Sequence, residues 1–228
     1  MTGSLESQAR RFADEVSELL NKTVTHGIRV SSLKTDKGHG IIGKGITSSN
    51  PNPEPIPISP SSRKAVIFLY MQHSYELDPE GVYLTMTEST MSLYTSPDME
   101  DDQLLLGVDY ARNPVNQFPS AHLHVAGQRD DLDAVYLGDR RKTRKLRDLH
   151  LPVGGKRFRP SLEDIVEFII TEEMVDPRPG WEQVVQEHRA RWESIQLKAA
   201  VRRNQEDAAA ALREAGWEIS PPSELKFE

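Results

Sequence analysis

Two histidines, His122 and His124, alternate with apolar residues in the sequence Ser-Ala-His-Leu-His-Val. On a β-strand this alternation puts both imidazoles on one face, about 6.6–6.8 Å apart along the chain. At that spacing the two rings can act on opposite sides of one phosphate, one taking the proton of an attacking hydroxyl and the other protonating the leaving group. Asp109, on the preceding predicted strand, is expected to orient one imidazole by accepting its other ring N–H. We therefore predict His122, His124 and Asp109 as catalytic residues.

A basic stretch follows the histidine pair. Residues 139–159 contain nine Lys and Arg against two Asp, so this segment carries +7 while the rest of the chain carries −14. Such a concentration of positive charge is typical of a surface that binds nucleic acid, a nucleotide or an acidic partner, and also of a solvated surface loop or helix. Within it, Arg157 and Arg159 are predicted to clamp a phosphate. His150 is predicted as a third substrate-binding residue.

The histidine pair allows two other interpretations. Together with His150 or a carboxylate it would supply three ligands for a metal ion with an open position for water. Alternatively, both histidines are partly buried strand residues with hydrogen-bonded rings and no chemical role. The glutamate of the cupin metal motif is replaced by Gln128 and Arg129, and the third histidine of the histidine-triad hydrolases by Ala126. Of the two chemical interpretations, proton transfer at a phosphate without a metal or cofactor is favoured over metal binding, and the purely structural interpretation stays open.

The motifs around the histidines follow a characteristic order. Asp-Tyr-x-Arg-Asn-Pro at 109–114 precedes Phe-Pro and His-x-His at 118–124, and a proline-containing basic strand and an apolar helix come next. This order resembles the TumE group of small bacterial toxin–antitoxin proteins, which have a Tyr-Asp-Asn…Phe-Pro-His-His-x-His layout. The resemblance covers residues 104–170. It implies a toxin that acts on RNA and is neutralised by a partner protein.

Composition limits the class of protein. The chain has 228 residues and no cysteine, which excludes disulfides, a thiol nucleophile and thiolate metal sites. Its mean hydropathy is −0.56, and no run approaches the ~20 apolar residues of a membrane-spanning helix. The N-terminal residues lack the apolar core of a secretion signal. These features predict a cytoplasmic, bacterial protein without a membrane partner.

The pattern of elements predicts an α+β fold. Apolar residues at helical spacing indicate an N-terminal helix over 5–20, and a long helical stretch from 181 to 215 with an interruption near Asn204. Short strands joined by turns, without intervening helices, indicate a mainly antiparallel sheet. Ser161 and Asp164 form a capping box that opens an apolar helix. The predicted segments are an N-terminal helix and first strand (1–47), a Pro-rich linker or surface segment (48–62), the sheet core with the histidine strand and following helix (63–176), and a C-terminal helical segment (177–228).

Two functions follow from these patterns. The first is a nucleic-acid-directed phosphodiesterase or ribonuclease-like protein of toxin or defence type, independent of metal, with paired histidines and an arginine clamp. The alternative is a non-enzymatic binding or assembly protein. Its basic segment would dock an acidic surface, and its C-terminal helix would contact a protein partner or a second copy of the chain. The apolar residues predicted for that contact are Val184, Val185, Trp192, Ile195, Leu197, Ala200 and Val201.

Overall fold

A computed structural model of the chain describes residues 3–35, 38–59, 64–115, 118–127, 151–153 and 159–220. The chain divides into two compact units, Met1–Val185 and Gln186–Glu228. The first unit contains an N-terminal helix, an antiparallel sheet and a second helix, and the second unit is helical where it is described. The predicted α+β class, with its mainly antiparallel sheet and its N- and C-terminal helices, is confirmed.

The sheet has eight described strands, and all of their pairings are antiparallel. The strands lie in the order β1-β2-β4-β5-β6-β7-β8, and β3 pairs with β4 outside this path. In chain order the elements are α1 Leu5–Thr23, β1 Val30–Lys34, β2 Gly40–Lys44, β3 Ile56–Ile58, β4 Ile67–Leu77, β5 Leu84–Tyr94, β6 Leu104–Ala111, β7 Ala121–Val125, β8 Leu151–Pro152, α2 Leu162–Thr171, α3 Trp181–Arg203 and α4 Gln205–Glu214.

One face of the sheet forms the core because side chains alternate along each strand. In β4 every second residue from Ile67 to Tyr75 is buried. The helices α1 and α2 supply the apolar side chains that cover this face. The largest fully buried side chains of the unit are Leu19, Leu20, Val24, Val30, Ile42, Ile56, Leu69, Met71, Tyr75, Leu93, Val108 and Ile169.

The opposite face of β4–β7 is polar and points away from α1 and α2. Its residues lie in rows across the sheet, because strand register pairs them directly. One row is Gln72, Thr90, Asp109 and His122, and the next is Tyr70, Ser92, Gly107 and His124. The antiparallel register therefore gathers the polar residues of four strands on one surface.

Local sequence signals define the helix ends. The hydroxyl of Ser161 accepts from the Asp164 N–H, and the Asp164 carboxylate accepts from the Ser161 N–H, so the predicted capping box at α2 is present. The predicted interruption near Asn204 is also present, since Asn204 separates α3 from α4. Beyond α4, Gly216 has a φ of +87°, and the N–H of Trp217 donates to the Leu212 carbonyl as in a Schellman motif. Among the described helices, none combines the length and apolar character needed to cross a bilayer.

The Pro-rich segment contributes a strand that the sequence did not predict. Residues 56–58 form β3, which pairs with the first part of β4, and Pro57 lies opposite Phe68. Ile56 and Ile58 are buried. A proline fits here because a short strand at the sheet margin need not donate on its outer side. Burial of the two isoleucines therefore outweighs the turn signals of the surrounding prolines.

His73 is a buried histidine on the core face of β4. Its Nδ1 lies 2.8 Å from the Ser89 hydroxyl, and its ring packs edge-on against Phe12 of α1. Burial, and after it the positive charge of Arg159, lowers the pKa of His73 from 6.5 to about 4. The folded protein thus holds this imidazole neutral at pH 7.

We predict that His73 makes the protein sensitive to mild acid. Because its pKa is lower in the folded state, its contribution to stability is complete above pH 6.5 and is lost as the pH falls from 6.5 to about 4. The loss corresponds to roughly 3 kcal/mol in the free energy of unfolding. Denaturant unfolding at several pH values measures how steeply the free energy of unfolding falls with pH. The slope should be clearly smaller in His73→Gln than in the wild type. The exposed-histidine control His39→Gln should keep the wild-type slope, and an equal slope in all three proteins would contradict the prediction.

Candidate active site

The polar face brings the three predicted catalytic residues together. His124 Nε2 lies 3.2 Å from Asp109 Oδ2, and the rings of His122 and His124 meet edge to face with centroids 5.0 Å apart. Asp109 is paired directly with His122 across β6 and β7, so its contact with His124 is a diagonal one. The predicted contact between Asp109 and a histidine is therefore present, and the partner is His124.

Gly107 lies in close contact with its neighbours on both sides. It is the residue of β6 directly opposite His124, and a Cβ built on it would lie 3.5 Å from His124 Cβ, an ordinary van der Waals distance, and 3.2 Å from the Ser92 hydroxyl, a tight one. The close approach at this glycine is therefore mainly that of Ser92 on β5. A glycine within an apolar strand is a signal of such close approach, and it is present in the sequence.

His122 is held by the loop that precedes β7. Its Nδ1 lies 3.0 Å from the Pro119 carbonyl oxygen, and its ring packs at a tilt against Phe118. A carbonyl oxygen can only accept, so Nδ1 carries the proton and the neutral ring has its lone pair on Nε2. By the same reasoning, Nε2 of a neutral His124 donates to Asp109 and its lone pair is on Nδ1. Each ring thus has a defined tautomer.

The Asp109 carboxylate is held in its charged form. Burial raises the pKa of Asp109, but the hydrogen bonds from His124 and Thr90 and the nearby charges of His124 and His122 together lower it below the ordinary value. One oxygen nevertheless lacks a partner. Oδ1 of Asp109 is the only buried side-chain polar atom in the described part of the chain without a hydrogen bond. The carboxylate is therefore an incompletely satisfied buried anion.

Two tyrosines belong to the same polar face. Burial raises the pKa of Tyr94, and the negative charge of Asp109 adds to this despite an opposing hydrogen bond from Ser92. Burial also raises the pKa of Tyr70, whose hydroxyl donates to Gln72. Both phenols therefore keep their protons at neutral pH. Tyr94 lies near enough to Asp109 to be affected by its charge, while the proton of Tyr70 is donated to Gln72.

The cluster can serve either as a proton-transfer centre or as a ligand set. Asp109, His122 and His124 each offer one donor atom, and these atoms all lie within 4.8 Å of one another. No other group of three such residues occurs within the ranges that the structure describes. His122 is buried, while His124 and Asp109 retain 19% and 31% side-chain exposure, which leaves the cluster open to a small ligand.

The structure does not bring Arg159 to the two histidines. Its guanidinium lies 4.0 Å from the centre of the Tyr110 ring, a cation–π contact. Tyr110 adjoins Asp109 in β6 and therefore points to the other face of the sheet. Burial lowers the pKa of Arg159, Tyr110 acts in the opposite direction, and the positive charge of Arg112 lowers it further. Arg159 therefore packs on the core side of the sheet, just before α2, and not beside the histidines where the predicted phosphate clamp would place it.

The other two predicted substrate-binding residues, His150 and Arg157, lie outside the described residues, as does most of the basic segment. The residues near the cluster that the sequence analysis did not single out are Thr90, Tyr94 and Gly107. Thr90 comes beside Asp109 through the register of β5 and β6, while Pro119 belongs to the Phe-Pro motif named in the sequence. Only Gly107 carried a local signal in the sequence.

We predict that His124 determines the charge state of Asp109. In His124→Ala the carboxylate loses the hydrogen bond and the charge of His124, which lower its pKa, while burial remains, so the pKa of Asp109 should rise relative to the wild type. The matched variant His122→Ala should produce a smaller rise, because His122 makes only the weakest of the lowering contributions. Titration of ¹³C-labelled aspartate carboxyls by NMR, in buffer with EDTA, measures both. An unchanged Asp109 pKa in His124→Ala would contradict the contact.

No protein-family model, no curated protein and no solved structure matches the chain. A function for this protein is therefore argued from the chemistry of the site, since a fold class alone does not specify an activity.

Proposed function

We propose that this protein is a phosphodiesterase of the ribonuclease type, in which His122 and His124 act as general acid and base. The observation that carries the proposal is the adjacent placement of the two imidazoles, with centroids 5.0 Å apart, one of them hydrogen-bonded to the Asp109 carboxylate. A carboxylate–imidazole pair beside a second imidazole is an arrangement suited to transferring one proton on each side of a reacting phosphate.

The contacts assign a role to each ring. Asp109 stabilises a positive charge on His124, which favours His124 as the base that takes the proton of an attacking hydroxyl. His122 is anchored through Nδ1 to the Pro119 carbonyl, and in its doubly protonated imidazolium form it is oriented to donate the Nε2 proton to the leaving oxygen, which leaves the neutral ring. In RNA the attacking group would be the 2′-hydroxyl, and the bond that breaks joins phosphorus to the 5′-oxygen of the next nucleotide. The protonated phenol of Tyr94 is a nearby donor for the charged phosphoryl oxygens.

Nucleic acid is the proposed substrate because of the charge of the chain. Residues 139–159 carry +7 in a chain whose net charge is −7. A segment of this kind neutralises backbone phosphates without reading sequence. The resemblance of residues 104–170 to the TumE toxins supports the same substrate and a toxin or defence role with a neutralising partner. With Arg159 packed on Tyr110, phosphate binding by the basic segment is assigned to its other cations, including Arg157.

We predict that purified protein cleaves RNA in the presence of EDTA. His122→Ala and His124→Ala should each lower the cleavage rate by about 100-fold or more, the usual effect of losing a general acid or base. The exposed-histidine variant His39→Ala should cleave like the wild type. An RNA oligonucleotide with one 2′-deoxy substitution should resist cleavage at that position, which distinguishes attack by the 2′-hydroxyl from attack by water. Equal cleavage by the wild type and the double variant His122→Ala/His124→Ala, or none by either, would refute the proposal.

An assembly function is the second candidate, favoured by the exposed apolar side chains of the helical unit 186–228. Leu197 and Val201 lie one turn apart on α3 and are 66% and 43% exposed. Trp217, beyond α4, is 67% exposed. Exposed apolar side chains grouped in this way are typical of surfaces that bind another protein. This candidate requires no chemistry at His122 or His124.

The assembly candidate predicts self-association through α3. Light scattering coupled to size-exclusion chromatography should show a dimer or higher oligomer whose proportion increases with concentration. Leu197→Glu should shift the mass toward the monomer, because a charge at the contact is costly to bury. Ala210→Glu, which adds the same charge at an exposed small residue of α4, should not. A monomer at all concentrations for the wild type would remove self-assembly as a function.

A further inference from the structure

We infer that Asp109, His122 and His124 form a binding site for one divalent transition-metal ion of the Zn²⁺ type. Two imidazole nitrogens and one carboxylate oxygen are a common three-ligand set for such ions, with a fourth position left for water or substrate. The inference shares its residues with the proposed function but does not rest on it, because metal binding requires neither RNA nor proton transfer.

The distances in the cluster are close to those of a metal site. With bonds of about 2.1 Å, two ligand atoms of a tetrahedral site lie about 3.4 Å apart. His124 Nε2 and Asp109 Oδ2 are 3.2 Å apart, so this pair already has the required separation. The His122 donor atom is within 4.8 Å of the other two, so a shift of 1–2 Å, about the range of a side-chain rotation, completes the set. The backbone positions are determined by the register of β6 and β7 and need not change.

The unpartnered oxygen of Asp109 is a second observation that points to a bound cation. Oδ1 is buried and accepts no hydrogen bond from any described residue, although the Thr90 hydroxyl lies near enough to the carboxylate to favour its charged form. A buried carboxylate oxygen without a donor costs free energy, and a cation bound to both oxygens of the Asp109 carboxylate would remove that cost. The same cation would replace the single hydrogen bond between Asp109 and His124 by two coordinate bonds.

The ligand types select the class of metal. Imidazole nitrogen suits Zn²⁺ and its neighbours among the first-row transition metals, while Mg²⁺ and Ca²⁺ prefer sites made only of oxygen atoms. No cysteine is available in the chain to favour a softer ion. Metal binding would also occupy Nε2 of His122 and, by taking Nε2 of His124, would put the proton of that neutral ring on Nδ1, so neither ring could transfer a proton as proposed. A protein that cleaves RNA in EDTA should therefore be inhibited by stoichiometric Zn²⁺.

Direct titration of the metal-free full chain tests the inference without an activity assay. Competition with a chromogenic chelator should show one Zn²⁺ bound per chain, and Co²⁺ should produce the visible absorption of a four-coordinate site. His122→Gln/His124→Gln and Asp109→Asn keep the size of the side chains and should retain the wild-type fold by circular dichroism. The double variant should bind Zn²⁺ at least about 100-fold more weakly, and Asp109→Asn at least about 10-fold more weakly. Mg²⁺ should not compete.

Zn²⁺ affinity that is unchanged in the double variant would overturn the inference, because it would place the metal on other histidines. Absence of saturable binding by the wild type would also overturn it. The variant His26→Gln/His39→Gln, which removes two exposed histidines, should bind like the wild type. The RNA assay in EDTA tests the proposed phosphodiesterase activity separately from the Zn²⁺ titration. Either proposal can therefore fail without changing the result for the other.

Discussion

The pleat of one antiparallel sheet organises this molecule, because it sends alternate residues of β4–β7 to two chemically different surfaces. On one surface, apolar side chains from the strands pack with those of α1 and α2 and exclude water. On the other, the same strands present hydroxyl, amide, carboxylate and imidazole groups in register. A shift of one residue in the register of β6 and β7 would bury Asp109 in the core and separate it from both histidines. Core packing and the site are thus determined by the same pairing.

Within that constraint, the electrostatics of the cluster depend on the balance around Asp109. Burial alone would favour its neutral form, yet the hydrogen bonds and charges of its neighbours prevail and keep it ionised. The charge is useful because it orients His124 and can stabilise an imidazolium. It is also incompletely satisfied, since Oδ1 has no partner among the described residues. A partly buried, incompletely satisfied charge with a shifted pKa is a recurrent feature of functional sites.

Acid–base catalysis and metal binding at the cluster differ in what carries the positive charge and where it is held. In acid–base catalysis the positive charge is a proton that passes between imidazole and substrate, and Asp109 stabilises it temporarily. In metal binding the charge is a resident ion held by all three side chains. Both use the diagonal contact in which the His124 ring crosses over β6 toward the carboxylate. On the other face, the buried His73 has no such carboxylate partner among the described residues, and its imidazole is kept neutral instead.

The sequence by itself determined the features that depend on local periodicity and local caps. The alternation around His122 and His124 predicted a shared face, the Ser161–Asp164 pair predicted the start of α2, and Asn204 and Gly216 marked the breaks in the C-terminal helices. Tertiary structure decided what depends on pairing between distant segments. It selected His124 rather than His122 as the partner of Asp109, and it packed Arg159 on Tyr110, away from the histidines. Strand register and the path of the chain around a sheet edge are set by the packing of the whole core, so no short stretch of sequence carries them.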